Sequence, residues 1–184
     1  MVDVLGHVAI GLLAATPAWF LWDRRVSGAF VAFVLTTVML PDVDLYVPGV
    51  AHHGVTHTVV FGVLVSLSGG AVLAMGATQT LSRWWRRDEG RRVSWAGLYV
   101  FVAGGLLVGG LSHVFADMLS TAAVERPVEP FWPFFRKPFS LYAIQHYSAP
   151  VWNGALLVFA TSLHLALYAL DVSPVTSRVP LVGE

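Results

Sequence analysis

His113 and Asp117 stand four residues apart. On a helix, that spacing puts both side chains on one face. An imidazole nitrogen and a carboxylate oxygen can there share a cation or bond one another. Pro41-Asp42-Val43-Asp44 sets two carboxylates at the end of an apolar stretch. His52-His53-Gly54-Val55-Thr56-His57 gathers three imidazoles around a glycine, whose backbone freedom would let the side chains before and after it converge. His7 lies one turn into an apolar segment, and His146 precedes another. Singly, each has an ordinary explanation: a buried His–Asp hydrogen bond, a solvated turn, an interfacial polar loop, a packed histidine. Together they form a set of nitrogen and oxygen donors. Imidazole and carboxylate are what zinc, manganese and iron use where thiolates are lacking. The chain has no cysteine, which excludes thiolate metal sites, disulfides and a cysteine nucleophile. The donors outnumber the three or four that one catalytic zinc takes. One or two divalent ions are therefore expected, zinc first, with some residues orienting the ligands from behind.

The elements that must position these groups are apolar helices. The 184 residues are 56% hydrophobic and only 12% charged, with a mean hydropathy of +0.68. A soluble domain carries about a quarter charged residues. The expected fold is all-α: one polytopic membrane bundle over 1–184 with about five transmembrane helices, at 4–22, 26–40, 58–81, 95–118 and 151–170. About 20 helical residues cross a bilayer core. The first, third, fourth and fifth segments meet that length; the second does so only if it continues through Val43 to Val47. The first reads as a span and not a signal peptide, because it lacks basic residues at its start and a small-residue cleavage site. Residues 119–150 read as an outer interfacial loop and 172–184 as a cytoplasmic tail. The pairs Gly69-Gly70, Gly104-Gly105 and Gly109-Gly110 would allow close helix approach.

Five spans put Arg24, Arg25, Arg83, Arg86, Arg87, Arg91, Arg92 and Arg178 on one side, and Arg126, Arg136 and Lys137 on the other. The positive-inside tendency makes the first side cytoplasmic. The N-terminus and the site are then outside, and the C-terminus inside, in a cell membrane. On this map six of the seven histidines collect on the outer face. Ionisable groups at membrane depth usually mark function. His164, deep in the fifth segment, is expected to hydrogen-bond between helices. Eleven basic residues balance eleven acidic ones, so charge offers nothing to nucleic acid. The partner expected is the lipid bilayer.

The order of motifs is familiar: His7, then Pro41-Asp42-Val43-Asp44, then His52-x-Gly54-x-Thr56-His57-Thr58, then Ser112-His113-x-x-x-Asp117, then Trp132-Pro133-Phe134. Over roughly residues 1–140 it resembles the YdjM-like family of inner-membrane proteins regarded as metal-dependent hydrolases. That family is in turn distantly similar to zinc-dependent phospholipase C and the zinc single-strand nucleases. The family signature reads His-Arg-Gly-x-Thr-His-Ser. Here His53 stands at the Arg position and Thr58 at the Ser position. The resemblance implies His52 and His57 as inherited ligand candidates, with His53 extra. The phospholipase-like pattern implies His7, Asp44, His57, His113 and Asp117 as ligands. His146 is a further donor.

The chemistry expected of such a site is metal-assisted hydrolysis, in which a bound ion activates water and polarises a phosphoryl oxygen. Asp42 or Asp44 would bridge metals or take the proton from that water. Arg126, Arg136 and Lys137 would hold a phosphate, or else snorkel to headgroups. The aromatic run Phe131-Trp132-Pro133-Phe134-Phe135 suits the interface and favours a phospholipid or another amphiphilic phosphoester. Other classes stay open: a structural or sensing metal site, which would be closed by protein ligands, and a ceramidase-like amidase. A transporter is disfavoured, since below the outer layer the spans offer only Ser, Thr, Gln79 and His164. A di-iron oxygenase would require more histidine clusters.

Overall fold

The computed structural model describes residues 4–85, 92–119, 127–138, 150–172 and 182–183. Five main helices form the bundle: α1 (Val4–Ala15), α2 (Arg24–Thr37), α3 (Val59–Trp85), α4 (Trp95–Leu119) and α5 (Pro150–Leu170). Three 3-10 segments, Thr16–Phe20, Leu40–Tyr46 and Val55–His57, extend or join them. The only β pairing among the described residues joins Arg92–Val93 to Val182–Gly183. The fold is thus an all-α membrane bundle, as expected.

Local chemistry sets the helix limits. Pro17, in the opening positions of Thr16–Phe20, lacks the N–H that would continue the α-helical ladder, and the chain tightens there. Asp23 caps α2 by accepting from the backbone N–H groups of Arg25 and Val26, as N-cap residues do. Pro41 plays the role of Pro17 at the start of Leu40–Tyr46. Thr58 caps α3, accepting from the Phe61 N–H at 3.1 Å while its own hydroxyl donates to the Val55 carbonyl. The Val59 N–H donates to the Pro130 carbonyl at 2.8 Å, which pins the 127–138 loop to that end of the bundle.

Among the described residues, four helical stretches are long and apolar enough to cross a membrane: Arg24–Tyr46, Val59–Leu81, Trp95–Leu119 and Pro150–Leu170. The second segment reaches 23 residues by continuing through Leu40–Tyr46, the extension that its length required. The expected length of the first is revised: it is a shorter apolar helix, Val4–Phe20. Its 12 α-helical and five 3-10 residues still reach about 28 Å, because a 3-10 segment rises faster per residue.

α4 is the central helix and packs against α1, α2 and α3, while α5 packs on α1. The α2–α4 contact is close because α4 has glycines where α2 brings side chains. A Cβ on Gly105 would lie 2.4 Å from the Phe33 ring, and one on Gly109 would lie 2.3 Å from the Thr37 hydroxyl. The Thr37 hydroxyl donates to the Gly105 carbonyl at 3.1 Å. In lipid, such close approach and interhelical hydrogen bonding supply much of the drive to associate. A core of Leu12, Trp19, Trp22, Phe30 and Val34 fills the end of the bundle away from the His/Asp cluster. The outer faces are apolar: Leu64, Leu67, Val72 and Leu73 on α3, and Val151, Val158, Phe159 and Leu165 on α5, are exposed.

His164 ties α5 to α1. It accepts from Trp19 Nε1 at Nδ1, 2.7 Å away, and its Nε2 is 2.8 Å from the Leu12 carbonyl oxygen. This is the interhelical role expected from its depth.

Candidate metal centre

Successive helices run in opposite directions, so the start of α1, the 3-10 turn after α2, the 3-10 turn before α3 and the end of α4 all meet at one end of the bundle. His7 lies in the first turn of α1, Asp42 and Asp44 in Leu40–Tyr46, His57 in Val55–His57, and His113 and Asp117 in the last two turns of α4. His7, Asp44, His53, His57, His113 and Asp117 are buried.

The centre of the cluster is a triangle of donor atoms. His57 Nε2 and His113 Nε2 are 3.3 Å apart. Asp42 Oδ1 lies 3.3 Å from the first and 3.2 Å from the second. Two ligands of a tetrahedral ion at about 2.0–2.1 Å are about 3.3–3.4 Å apart, so the triangle has the size of one face around a zinc-sized cation. Asp117 Oδ2 approaches both imidazoles, at 3.5 Å from His57 Nε2 and 3.2 Å from His113 Nε2. Its Oδ1 meets His7 Nε2 at 3.1 Å. The His7 and His113 rings stack with centroids 4.1 Å apart. Two imidazole nitrogens facing each other between carboxylates cannot all be satisfied by one another, since a neutral ring offers one N–H and one lone pair. A shared divalent cation would use every one of these lone pairs. The donor set fits such an ion. The same side chains form overlapping triads: His52 with His53 and His57, His7 with His113 and Asp117, Asp42 with His57 and His113, and Asp42 with Asp44 and His52.

Asp44 sits behind His57. Its Oδ2 is 3.2 Å from His57 Nδ1 and accepts from the Thr56 hydroxyl at 2.7 Å, while its Oδ1 meets His52 Nδ1 at 3.1 Å. Carboxylate contact with the far ring nitrogen is the usual device that orients a metal-binding histidine. Asp42 and Asp44 thus face different partners. The two positions lie two-thirds of a 3-10 turn apart.

The turn that delivers His57 is tight, with unusual backbone at Gly54, at φ −89° and ψ −136°, and at the residue before it. His53 has φ +57°, a left-handed conformation that costs a non-glycine residue about 1–3 kcal/mol. Gly54 has a negative φ but is indispensable in another way: a Cβ there would lie 2.5 Å from the Ala51 carbonyl oxygen. The result brings His52 and His57 ring centroids to 5.1 Å and those of His53 and His57 to 4.9 Å.

Beside the cluster opens a polar groove of about 320 Å³, lined by His53, Gly54, Val55, Glu129, Trp132 and Arg136. His53 belongs to both, with its Nε2 3.9 Å from Asp117 Oδ2. Of the cations named from sequence, Arg136 lines the groove and Lys137 is exposed next to it. Arg126 and His146, like Arg86, Arg87, Arg91 and Arg178 of the charge pattern, lie outside the described residues. Thr56 and Glu129 were not singled out as site residues by sequence reasoning. Thr56 had a signal, its place within the histidine motif; Glu129 had none.

A family model described as YdjM inner membrane protein matches residues 1–179. No curated protein and no solved structure matches the chain.

Proposed function

We propose, for a chain that belongs to the YdjM inner membrane protein family and carries this buried His/Asp cluster, that it is a membrane-embedded metal-dependent hydrolase of phosphoesters, acting on phospholipid or another amphiphile. The observation that carries the reading is the triangle of Asp42 Oδ1, His57 Nε2 and His113 Nε2, with sides of 3.2–3.3 Å, next to a groove that holds an arginine. A divalent ion bound there, zinc by ligand type, with manganese or iron as rivals, would bring the pKa of a bound water toward neutrality and polarise a phosphoryl oxygen.

The chain's residues divide the remaining work. His57, His113 and Asp42 hold the ion, and Asp117 joins them while binding His7. Asp44 and Thr56 fix the ring of His57. The Asp42 side chain is 15% exposed, against 0% for Asp44 and 5% for Asp117. It is therefore the carboxylate best placed to receive a proton from water entering the site. Arg136 holds the phosphate by charge-assisted hydrogen bonds. Exposed Phe131, Phe134 and Phe135 seat the loop among lipid headgroups. The site faces the outer side: Arg24 and Arg25, exposed at the other end of α2 from Asp42, mark the cytoplasmic side.

The test is hydrolysis by detergent-purified protein of a panel spanning phospholipid in mixed micelles, a soluble phosphomonoester, a soluble phosphodiester and an amide-linked lipid. Turnover of a phosphoester that is lost on chelation, restored by zinc or manganese and absent in Asp42→Asn supports the reading. Turnover of the amide alone would reassign the chemistry. The full burial of His57 and His113 favours a second reading, a closed structural ion. That reading holds if metal raises the melting temperature and no substrate turns over.

A further inference from the structure

Among the described residues, α5 buries only Asn153, Ala160 and His164. Their spacings of seven and four put them on one stripe. The stripe faces α1, because His164 bonds Leu12 and Trp19. Asn153 is 0% exposed, and neither its Oδ1 nor its Nδ2 has a hydrogen-bond partner among the described residues. Buried side-chain amides are almost always satisfied, so each exception calls for a reason.

The level of Asn153 in the bundle supplies one. Leu156 of α5 and Ile10 of α1 both pack against Ala116 and Leu119 of α4. One turn from Leu156 toward the start of α5 is Asn153. One turn from Ile10 toward the start of α1 is His7, and Asp117 follows Ala116. The amide therefore stands on the α1-facing stripe at the height of the His7–Asp117 contact. The amide oxygen has lone pairs that can meet a cation or accept from a water it carries, while the NH2 can donate to a neighbouring carboxylate or water.

We infer that Asn153 is the contribution of α5 to the metal centre, its amide engaging the ion or a water that the ion carries. The inference rests on the metal reading above. It places Asn153 in the metal site itself and links the docking of α5 to metal occupancy.

The test uses the full chain in detergent, with zinc alone as probe. It measures zinc affinity by competition with a chelator, and melting temperature with and without zinc. The variants are Asn153→Leu, which keeps the volume, and Asn153→Asp, which keeps an oxygen. Asn153→Leu should leave the zinc-free melting temperature unchanged or raised, because an unpartnered polar group is removed. It should weaken zinc binding about 10-fold, the scale of residues that support metal ligands. Asn153→Asp should bind zinc at least as tightly as wild type. Wild-type affinity in Asn153→Leu, or weakened affinity in both variants, overturns the inference. Wild-type protein that takes up no zinc removes the metal reading itself.

Discussion

His57 Nε2 and His113 Nε2 face each other at 3.3 Å across a fully buried contact between the turn before α3 and the end of α4, though 56 residues separate them in the chain. Neither ring has solvent access, and Asp42 and Asp117 close on the same two nitrogens. A site whose ligands come from different elements should lose its ion when any one is removed.

Purified wild-type protein is accordingly expected to carry one or two equivalents of divalent metal by mass spectrometry. His57→Ala and His113→Ala should each lose it. Because an ion that binds only the folded state stabilises it by mass action, chelation should lower the melting temperature of wild type and leave those two variants unmoved. Wild type free of metal after reconstitution with zinc or manganese would sink the hydrolase proposal.

Asp44 touches His57 Nδ1, His52 and Thr56, so its removal should act at second hand. Asp44→Ala is expected to weaken metal binding about 10–100-fold without abolishing it, whereas Asp42→Ala should reduce occupancy to background. Competitive chelator titration of the two variants side by side distinguishes them. Equal losses in both would mean that Asp44 is itself a ligand.

Gly109 sets how closely α2 and α4 approach. A Cβ there would lie 2.3 Å from the Thr37 hydroxyl and 2.9 Å from the Thr37 backbone carbon. Gly109→Val should cost about 1–3 kcal/mol through overpacking, read as a lower melting temperature in detergent. It should also reduce metal affinity. Thr37 lies five residues before Asp42, and Gly109 lies four before His113, so parting the helices parts the triangle. Gly76→Ala, with nothing within 4 Å of the new Cβ, is the control: it should leave metal affinity unchanged and the melting temperature equal or higher, since alanine favours a helix interior over glycine.

The orientation can be read directly. A reporter fused after Arg92 should be active only as a cytoplasmic reporter, and one fused after Pro138 only as an external one. The reverse pattern would move the site to the cytoplasmic face and exchange its lipid leaflet.

The chain's own order of residues was enough to reveal the helical bundle, since long apolar runs broken by arginines and prolines leave few other ways to bury a backbone. It was also enough to bring His7, Asp42, Asp44, His52, His53, His57, His113 and Asp117 to one end, because alternating helices return polar ends to the same side. Tertiary structure decided the rest. Asp42 and Asp44 share one motif, yet the 3-10 turn aims the first at two Nε2 atoms and the second at His57 Nδ1, and no apolar periodicity encodes that division. The glycine in the histidine turn was legible, but the left-handed residue proved to be His53, with Gly54 required for its proximity to Ala51. The first apolar segment hid a change of helix type at Pro17 behind continuous hydrophobicity. Sequence determines which groups are too polar for lipid and therefore must gather; only packing, down to tenths of an ångström between helices, determines which of their atoms meet.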